Sequence, residues 1–433
     1  MPPSWPLLLF LLSSLSGVLT AIYLWTNARF SRARPHAPRA SPAGAEGVTV
    51  VVPVLFQDPE RFRACLSSID RSGASLIVVT DGPDAGSASI AAEHGARLVA
   101  LPVRSGKKAA IAAGLQEVRT PFVLLLDSDT VLPPGAVGSL RSHFSEGVGG
   151  VSANLEVPQE VGLVSSCSEF VERSREVVLR ATSSRGSVLL LDGACTMYRT
   201  AAIRSFVLSP AFLDLQVLGR SSPIGDDWLL TGHLVEEGWR AVKAYDVPAR
   251  SPAPSSFRGL VRRNVRWARS AWIRLGKELT GERSGRREER FYRIELFGTY
   301  LLPLLTLAML LTRLPLALRR GPTGLLPPLL DYLLSNGTHA FSSGHLLLLL
   351  VGGLPLVAEA TGGAAFLYAS YRCARQRSLR LLLMAPLASS LLFVTTIYGL
   401  LTFWRTPHWE PVAPAPQSSR ETGGRRGELS LSR

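Results

Sequence analysis

Between residues 48 and 126 the chain alternates short β-branched runs with helical stretches, and few architectures accept that pattern. "VTVVVPV" (48–54) reads as a buried strand from its run of valines. "DPERFRACLSSID" is helical: Asp58 can cap, Pro59 suits the first turn, and Phe62, Leu66 and Ile69 share one face. "SLIVVTD" is a second strand, ending at Asp81. A helix over "SASIAAEHG", a short strand "ARLVAL", a helix "GKKAAIAAGLQEV" after Gly106 and a strand "PFVLLLD" come next. Strands alternating with helices predict an α/β fold, a mostly parallel sheet covered on both faces. Such sheets bind ligands at the C-terminal ends of their strands. Asp81 and the pair Asp127 and Asp129 stand at such ends.

The rest of the chain is too apolar for an ordinary soluble enzyme: 46% of residues are hydrophobic and 18% charged. Residues 5–25 carry no charge and are long enough to cross a bilayer. They lack a basic leader and a small-residue cleavage site, so they read as an uncleaved anchor. Residues 381–404 form a second span, 296–312 a third and 346–371 a fourth, interrupted by Glu359, Pro355 and glycines. Residues 325–341 are short and broken by Pro327, Pro328 and Gly337, which suits a re-entrant or interfacial piece. Asn336-Gly337-Thr338 within it is a formal glycosylation sequon.

Formal net charge is +14. Arg29, Arg32, Arg34 and Arg39 come after the first span, and Arg372, Arg375, Arg377 and Arg380 separate the last two. Both clusters belong on the cytoplasmic side, which puts residues 26 to about 290 inside. Because the basic excess flanks predicted spans, anionic membrane lipid is the expected partner and nucleic acid is not. The expected division is an N-terminal membrane helix (1–28), a basic linker (29–46), a cytoplasmic domain (47–256), amphipathic interface helices (257–290), a C-terminal membrane region (291–404) and a tail (405–433). Cys65, Cys167, Cys195 and Cys373 show no metal-site or disulfide spacing and are expected to be free thiols.

Two acidic motifs carry the chemistry. Alternating strand residues face the same way, so Asp127 and Asp129 can converge on one hard cation, Mg²⁺ or Mn²⁺. Such an ion would suit a departing diphosphate. Asp226 and Asp227 precede a helix in "IGDDWLLTGHLVEEGWRA", where one carboxylate can act as general base. The plainer reading of each motif is a helix cap. "RRNVRWARSAWIRL" (262–275) places Val265, Ala268, Trp272 and Leu275 on a helical stripe beside arginines, as in a helix lying on a membrane surface. At its start, Arg266 suits a phosphate and Trp267 suits stacking on a sugar ring.

In this order, "VVPV", "VVTDGPD", "SGKKAA", "LLLDSDT", "LDGACTMYR", "IGDDWLLT" and "RNVRW" resemble the processive inverting family 2 glycosyltransferases, the hyaluronan and cellulose synthase-like enzymes. The resemblance covers residues 48–275 and implies a GT-A domain joined to a transmembrane bundle. It also implies a UDP-sugar donor, and a growing polysaccharide or a lipid-linked acceptor. Residue by residue it places Asp81 at the uridine, Lys107 at the nucleotide, and Asp127 and Asp129 at diphosphate and metal, with Asp129 the direct ligand. Asp227, beside Asp226, would be the catalytic base and Arg266 would hold diphosphate. Gly193, Cys195 and Trp267 would lie by the acceptor, and "FWRTPHW" (403–409) would gate the nucleotide. The chain departs from the pattern at Thr80-Asp81-Gly82-Pro83, at Trp228, and at Arg263, where the resembled motif opens with glutamine. Arg-x-x-Arg-Trp also occurs in ceramide glucosyltransferases, which add one sugar to a lipid. Four spans with the N-terminus outside would place 403–409 outside, so either 325–341 crosses or that segment is not a gate.

Overall fold

The computed structural model describes residues 4–32, 44–70, 73–158, 162–184, 186–279, 298–308, 346–375 and 377–405, with 311 and 318. The expected elements of the first half form where the residues place them. β1 (Val48–Val54), β2 (Ala74–Thr80), β3 (Arg97–Ala100) and β4 (Phe122–Leu126) alternate with α2 (Pro59–Ser67), α3 (Ala85–Glu93) and α4 (Lys107–Glu117), after the N-terminal α1 (Ser4–Phe30). The Asp58 side chain accepts from the Arg61 N–H and Pro59 opens α2, as expected of a helix start.

The chain continues through α5 (Ala136–Ser142), β5 (Val148–Glu156), the long α6 (Leu163–Ser183), β6 (Cys195–Arg199), α7 (Thr200–Val207) and α8 (Pro210–Leu213). A hairpin, β7 (Leu215–Val217) and β8 (Arg220–Ser222), leads into α9 (Asp226–Glu236), β9 (Arg240–Arg250) and α10 (Phe257–Leu279). Among the described residues one seven-stranded sheet runs in the order β3-β2-β1-β4-β6-β5-β9. Every residue of β1 is buried, because helices cover both faces of the sheet. Val50, Val52 and Val54 pack with Phe62, Leu66, Ile90 and Leu140. Val51 faces the other way, into a second cluster that also holds Ile111, Leu115, Ile203 and Leu230.

The expectation of a mostly parallel sheet needs one correction. β3, β2, β1 and β4 are parallel, as is the β5–β9 pair, but β6 runs antiparallel between β4 and β5. The inversion decides which loop reaches the ligand-binding edge. An antiparallel strand begins at the edge where its neighbour ends, so Cys195 pairs with Leu126 and the loop before β6 abuts the end of β4.

Of the expected spans, 5–25 falls within α1 and 346–371 within the helix Leu346–Cys373. The stretch 381–404 divides between the helices Leu379–Leu383 and Ala385–Leu400, and residues 298–308 are helical. Among the described residues no helix is long and apolar enough to cross a membrane. Residues 325–341 with their sequon, most of the basic linker and the tail from 406 onward lie outside the described residues. α10 packs along Ala385–Leu400, where a Cβ on Gly399 would stand 2.6 Å from the Ala268 Cβ. Trp272 and Leu275 of its predicted stripe are buried. All four cysteines are free.

Gly114, inside α4, gives a test of the packing. Gly to Ala in a helix interior ordinarily stabilises by about 1 kcal/mol. Here an added Cβ would meet Val51 Cγ1 at 2.5 Å and Val79 Cγ2 at 3.0 Å. Overpacking wins, and Gly114→Ala is expected to destabilise the domain by about 1–2 kcal/mol. A denaturant midpoint at or above that of the parent protein would contradict this packing.

Candidate active site

The site is assembled at the C-terminal ends of β2 and β4, where strand order reverses about β1. Asp81 comes directly after β2 and is buried. Its carboxylate accepts from the N–H of Ser105 (2.6 Å) and of Gly106 (3.0 Å to each oxygen). Gly106 takes a φ of 93°, so the turn that opens α4 is set by one carboxylate and one glycine. That turn presents Lys107 inward.

Lys107 Nζ lies 2.7 Å from Asp127 Oδ1 and 3.2 Å from Asp226 Oδ2. One ammonium therefore joins the two acidic motifs, which are 99 residues apart (226 − 127). Burial opposes its charge, but Asp127 and Asp226 outweigh burial and hold the amine well above the usual lysine range. The carboxylates behind it differ in character. Asp226 stays below the carboxylate range: burial pushes it up, and Lys107, then Arg266, push it down further. Burial and the charge of Asp226 raise Asp227 to about 6. Burial, with Asp127 adding, raises Asp129 to about 6 as well.

Asp226 and Asp227 open α9, where the helix N-terminus favours negative charge. Gly225 before them has a φ of 100°, and a Cβ there would stand 2.2 Å from Trp228 Nε1. The buried Trp228 thus fills the space that glycine leaves. Asp227 Oδ1 accepts from the Trp228 N–H at 2.8 Å.

Gly193 lies against the pair. A Cβ on it would be 3.3 Å from Asp227 Cβ, 3.7 Å from Asp226 Oδ2 and 3.8 Å from Lys107 Nζ. The segment around it is held from several sides. The Asp127 N–H donates to the Ala194 carbonyl (2.9 Å), Leu191 N–H donates to Thr231 Oγ1 (3.0 Å), and Thr231 Oγ1 donates to the Asp227 carbonyl (2.8 Å). Asp192 is buried between Lys243 and Arg175, the latter at 2.9 Å. Burial alone would raise its carboxyl; the two cations bring it below the usual range. Arg175 also pairs with Glu172 at 2.8 Å.

Trp267 sits between two guanidiniums, with Arg175 at 4.9 Å and Arg263 at 4.7 Å from its ring centroid. Of the residues expected at the site, Lys107, Asp127, Asp129, Asp226, Asp227 and Gly193 come together, with Arg266 close enough to act on Asp226. Cys195 is the exception: its side chain is fully buried in the sheet beside β4, and burial raises its thiol to about 12. It supports the floor of the site and does not line it. Of the expected gate, Phe403 packs against the core and against Trp404, while 406–409 lie outside the described residues.

Arg175, Asp192, Thr231 and Lys243 are not singled out by the sequence patterns. Neither is Lys108, whose buried amine donates to the Ser222 carbonyl at 2.8 Å and is lowered to about 8 by burial. An i,i+4 step from Asp227 to Thr231 and an i,i+3 step from Glu172 to Arg175 were the available signals. Among the described residues no three His, Cys, Asp or Glu side chains form a metal cage.

Known proteins are similar to this chain. An N-acetylglucosaminyltransferase of Sinorhizobium fredii is 26% identical over 327 residues, 70% of this chain and 76% of that protein. One of Azorhizobium caulinodans is 28% identical over 254 residues, 54% of this chain and 63% of that protein. A mannosyltransferase from Pyrobaculum calidifontis, solved with GDP-Man and Mn²⁺, superposes with a TM-score of 0.58 at 18% identity, over 82% of this chain and 97% of that one; the likeness is one of fold. The model of the family described as "Glycosyltransferase like family 2" matches residues 45–270. That stretch is more than half of the chain and holds both acidic pairs, Lys107, Arg266 and Trp267, so this protein belongs to glycosyltransferase-like family 2.

Proposed function

We propose that this glycosyltransferase moves N-acetylglucosamine from a UDP donor onto a growing glycan, by one inverting displacement, at a membrane. The observation that carries the reading is the Lys107 bridge, which gathers Asp127 and Asp226 into one cluster with Asp227 against Gly193. The choice of sugar rests on the relatives' names alone. Hyaluronan-like synthesis would need UDP-glucuronate as a second donor.

In this reading Asp227 takes the proton of the acceptor hydroxyl as that oxygen attacks the anomeric carbon. Gly193 leaves the hydroxyl room to reach it. Lys107 and Arg266 face the diphosphate as its charge develops. Asp81 acts at the nucleotide through the turn it fixes, and Trp267 meets the acceptor. Asp127 and Asp129 offer carboxylate oxygens, the donor type Mg²⁺ or Mn²⁺ takes, and would be the residues to hold such an ion. Bound there, the ion would neutralise charge on the leaving group. In this reading 47–256 is the catalytic part and 257–290 the interface segment, to which α10 belongs.

The membrane part is supported by side chains rather than by any complete span. Leu12, Leu15, Val18 and Ile22 of α1 are exposed, as are Leu354 and Val357 of Leu346–Cys373, and Leu387 and Val394 of Ala385–Leu400. Apolar surface on adjoining helices marks a contact with lipid or with another protein. The arginines beyond each stretch favour a catalytic domain on the cytoplasmic side. The second reading, a single-addition glycolipid synthase, is favoured by Arg263 in Arg-x-x-Arg-Trp.

Asp227→Asn is expected to lower transfer by about 10²–10⁴-fold and leave UDP affinity within about twofold; near-normal turnover in that variant removes Asp227 as the base. A base must be ionised. With Asp227 near 6, the rate is expected to fall as pH drops through about 6 and to level off above it. A flat profile from about pH 5 to 8 would contradict the assignment. Sizing the products from single and paired UDP-sugars separates the readings. Long products from UDP-N-acetylglucosamine alone support the proposal, and short lipid-extractable products support the glycolipid reading.

A further inference from the structure

The turn before α2, and α2 itself, meet the acidic end of β4 at several points. Gln57 Nε2 donates to Ser128 Oγ at 3.1 Å, and Ser128 stands between Asp127 and Asp129. The Cys65 thiol donates to the Asp127 carbonyl at 3.5 Å, and Ser68 Oγ accepts from the Leu132 N–H at 3.0 Å. Arg61, in the first turn of α2, is among the charges that act on Asp129. The loop from 127 to 132 is thus held along its length by one short stretch of chain.

Within that stretch the Gln57 amide has one orientation. The Asp58 N–H can only donate, and Gln57 Oε1 accepts from it at 3.0 Å. Nε2 is left to face Ser128 as a donor. Asp58 also caps α2, its Oδ1 accepting from the Arg61 N–H at 3.0 Å, so the amide is anchored to a helix start. The turn that brings Gln57 here is costly. Phe56 takes a φ of 43°, a left-handed value that a bulky side chain rarely adopts. Its N–H donates to Asp84 Oδ2 at 3.1 Å, and Asp84 is itself fixed as the cap of α3. Strain of this kind persists only where the surroundings impose it, and it gathers at functional sites. Here it delivers an amide to the residue that links two carboxylates.

The chemistry of a hard cation makes that contact consequential. An ion held by two carboxylates depends on how those two are placed, most of all Mg²⁺, which demands near-ideal geometry. Pinning Ser128 pins the spacing of both acids. Groups that hydrogen-bond behind metal ligands, without touching the metal, orient those ligands and alter affinity. We propose that Gln57 is a positioning residue of the divalent-cation site, setting through Ser128 the spacing at which Asp127 and Asp129 meet the ion. This rests on the reading that those two aspartates hold Mg²⁺ or Mn²⁺ beside the diphosphate.

The test is Mn²⁺ binding to the full-length protein in detergent with UDP present. It is read from the electron paramagnetic resonance signal of the free ion, against a protein-free UDP blank. Gln57→Leu is expected to weaken Mn²⁺ binding about tenfold, and Ser128→Ala to do the same. Ser128→Ala leaves the Gln57–Asp58 anchor in place, so the test stands even if Gln57→Leu folds poorly. Both variants remove one hydrogen bond, so the double variant is expected to fall within about twofold of either alone. Half-maximal UDP release from UDP-N-acetylglucosamine then needs about tenfold more Mn²⁺ in each variant. A merely loosened fold would instead lower the plateau at saturating Mn²⁺. Parent-like Mn²⁺ affinity in both single variants, or losses that multiply in the double variant, overturn the inference alone. A parent protein that binds no Mn²⁺ beside UDP overturns the metal reading on which it rests.

Discussion

The ammonium of Lys107 is the interaction on which the site depends. Two acidic motifs, one ending a strand and one opening a helix, would repel each other in a partly buried cleft. Lys107 reaches both, 2.7 Å from Asp127 and 3.2 Å from Asp226, and makes one cluster of them. Its position is set one step back, by the Asp81 carboxylate on the N–H groups of Ser105 and Gly106. A strand-end aspartate that looks like a ligand group thus also works as a backbone clamp. The same cluster sets the acids apart in character: Lys107 holds Asp226 below the usual carboxylate range, while Asp227, buried beside a charged neighbour, is raised to about 6.

The second constraint is the reversed strand. Because β6 is antiparallel to β4, its entry loop arrives at the ligand-binding edge and lays Gly193 against Asp227. That loop carries a buried acid, Asp192, satisfied by cations from α6 and β9. Buried pairs of this kind add little net stability, but removing one partner is costly, so they fix geometry more than they strengthen the fold. α6 carries a second set: Arg173 lies between Glu169 and Glu176, and also donates to the carbonyls of Leu155 and Cys373. The catalytic sheet and the helix Leu346–Cys373 therefore meet on one buried guanidinium.

Much of the first half was legible because its signals are local. Valine runs, Asp58 before Pro59 and Gly106 before a helix each depend on a few adjacent residues. Strand direction does not, and nothing in "CTMYR" says that β6 runs against its neighbours. The acidic pairs and Arg266 were legible as chemistry, since carboxylates beside turns are expensive unless used. Cys195 was placed at the acceptor by its neighbours in the motif, and the pleat turned its side chain into the core. Arg175, Asp192 and Lys243 escaped notice because single charged residues, on a helix, in a loop or on a strand, ordinarily face solvent. Only the tertiary fold shows that these are enclosed.

The most direct test is the initial rate of UDP release from UDP-N-acetylglucosamine by the intact protein, with and without Mn²⁺, for the parent and for Lys107→Met. Cation-dependent release is expected in the parent. A loss of about 10²-fold or more is expected in the variant, because the two acidic motifs no longer share a cation. Parent-like release from Lys107→Met would contradict the central role given to that bridge. No release from any nucleotide sugar by the parent would contradict the functional reading itself.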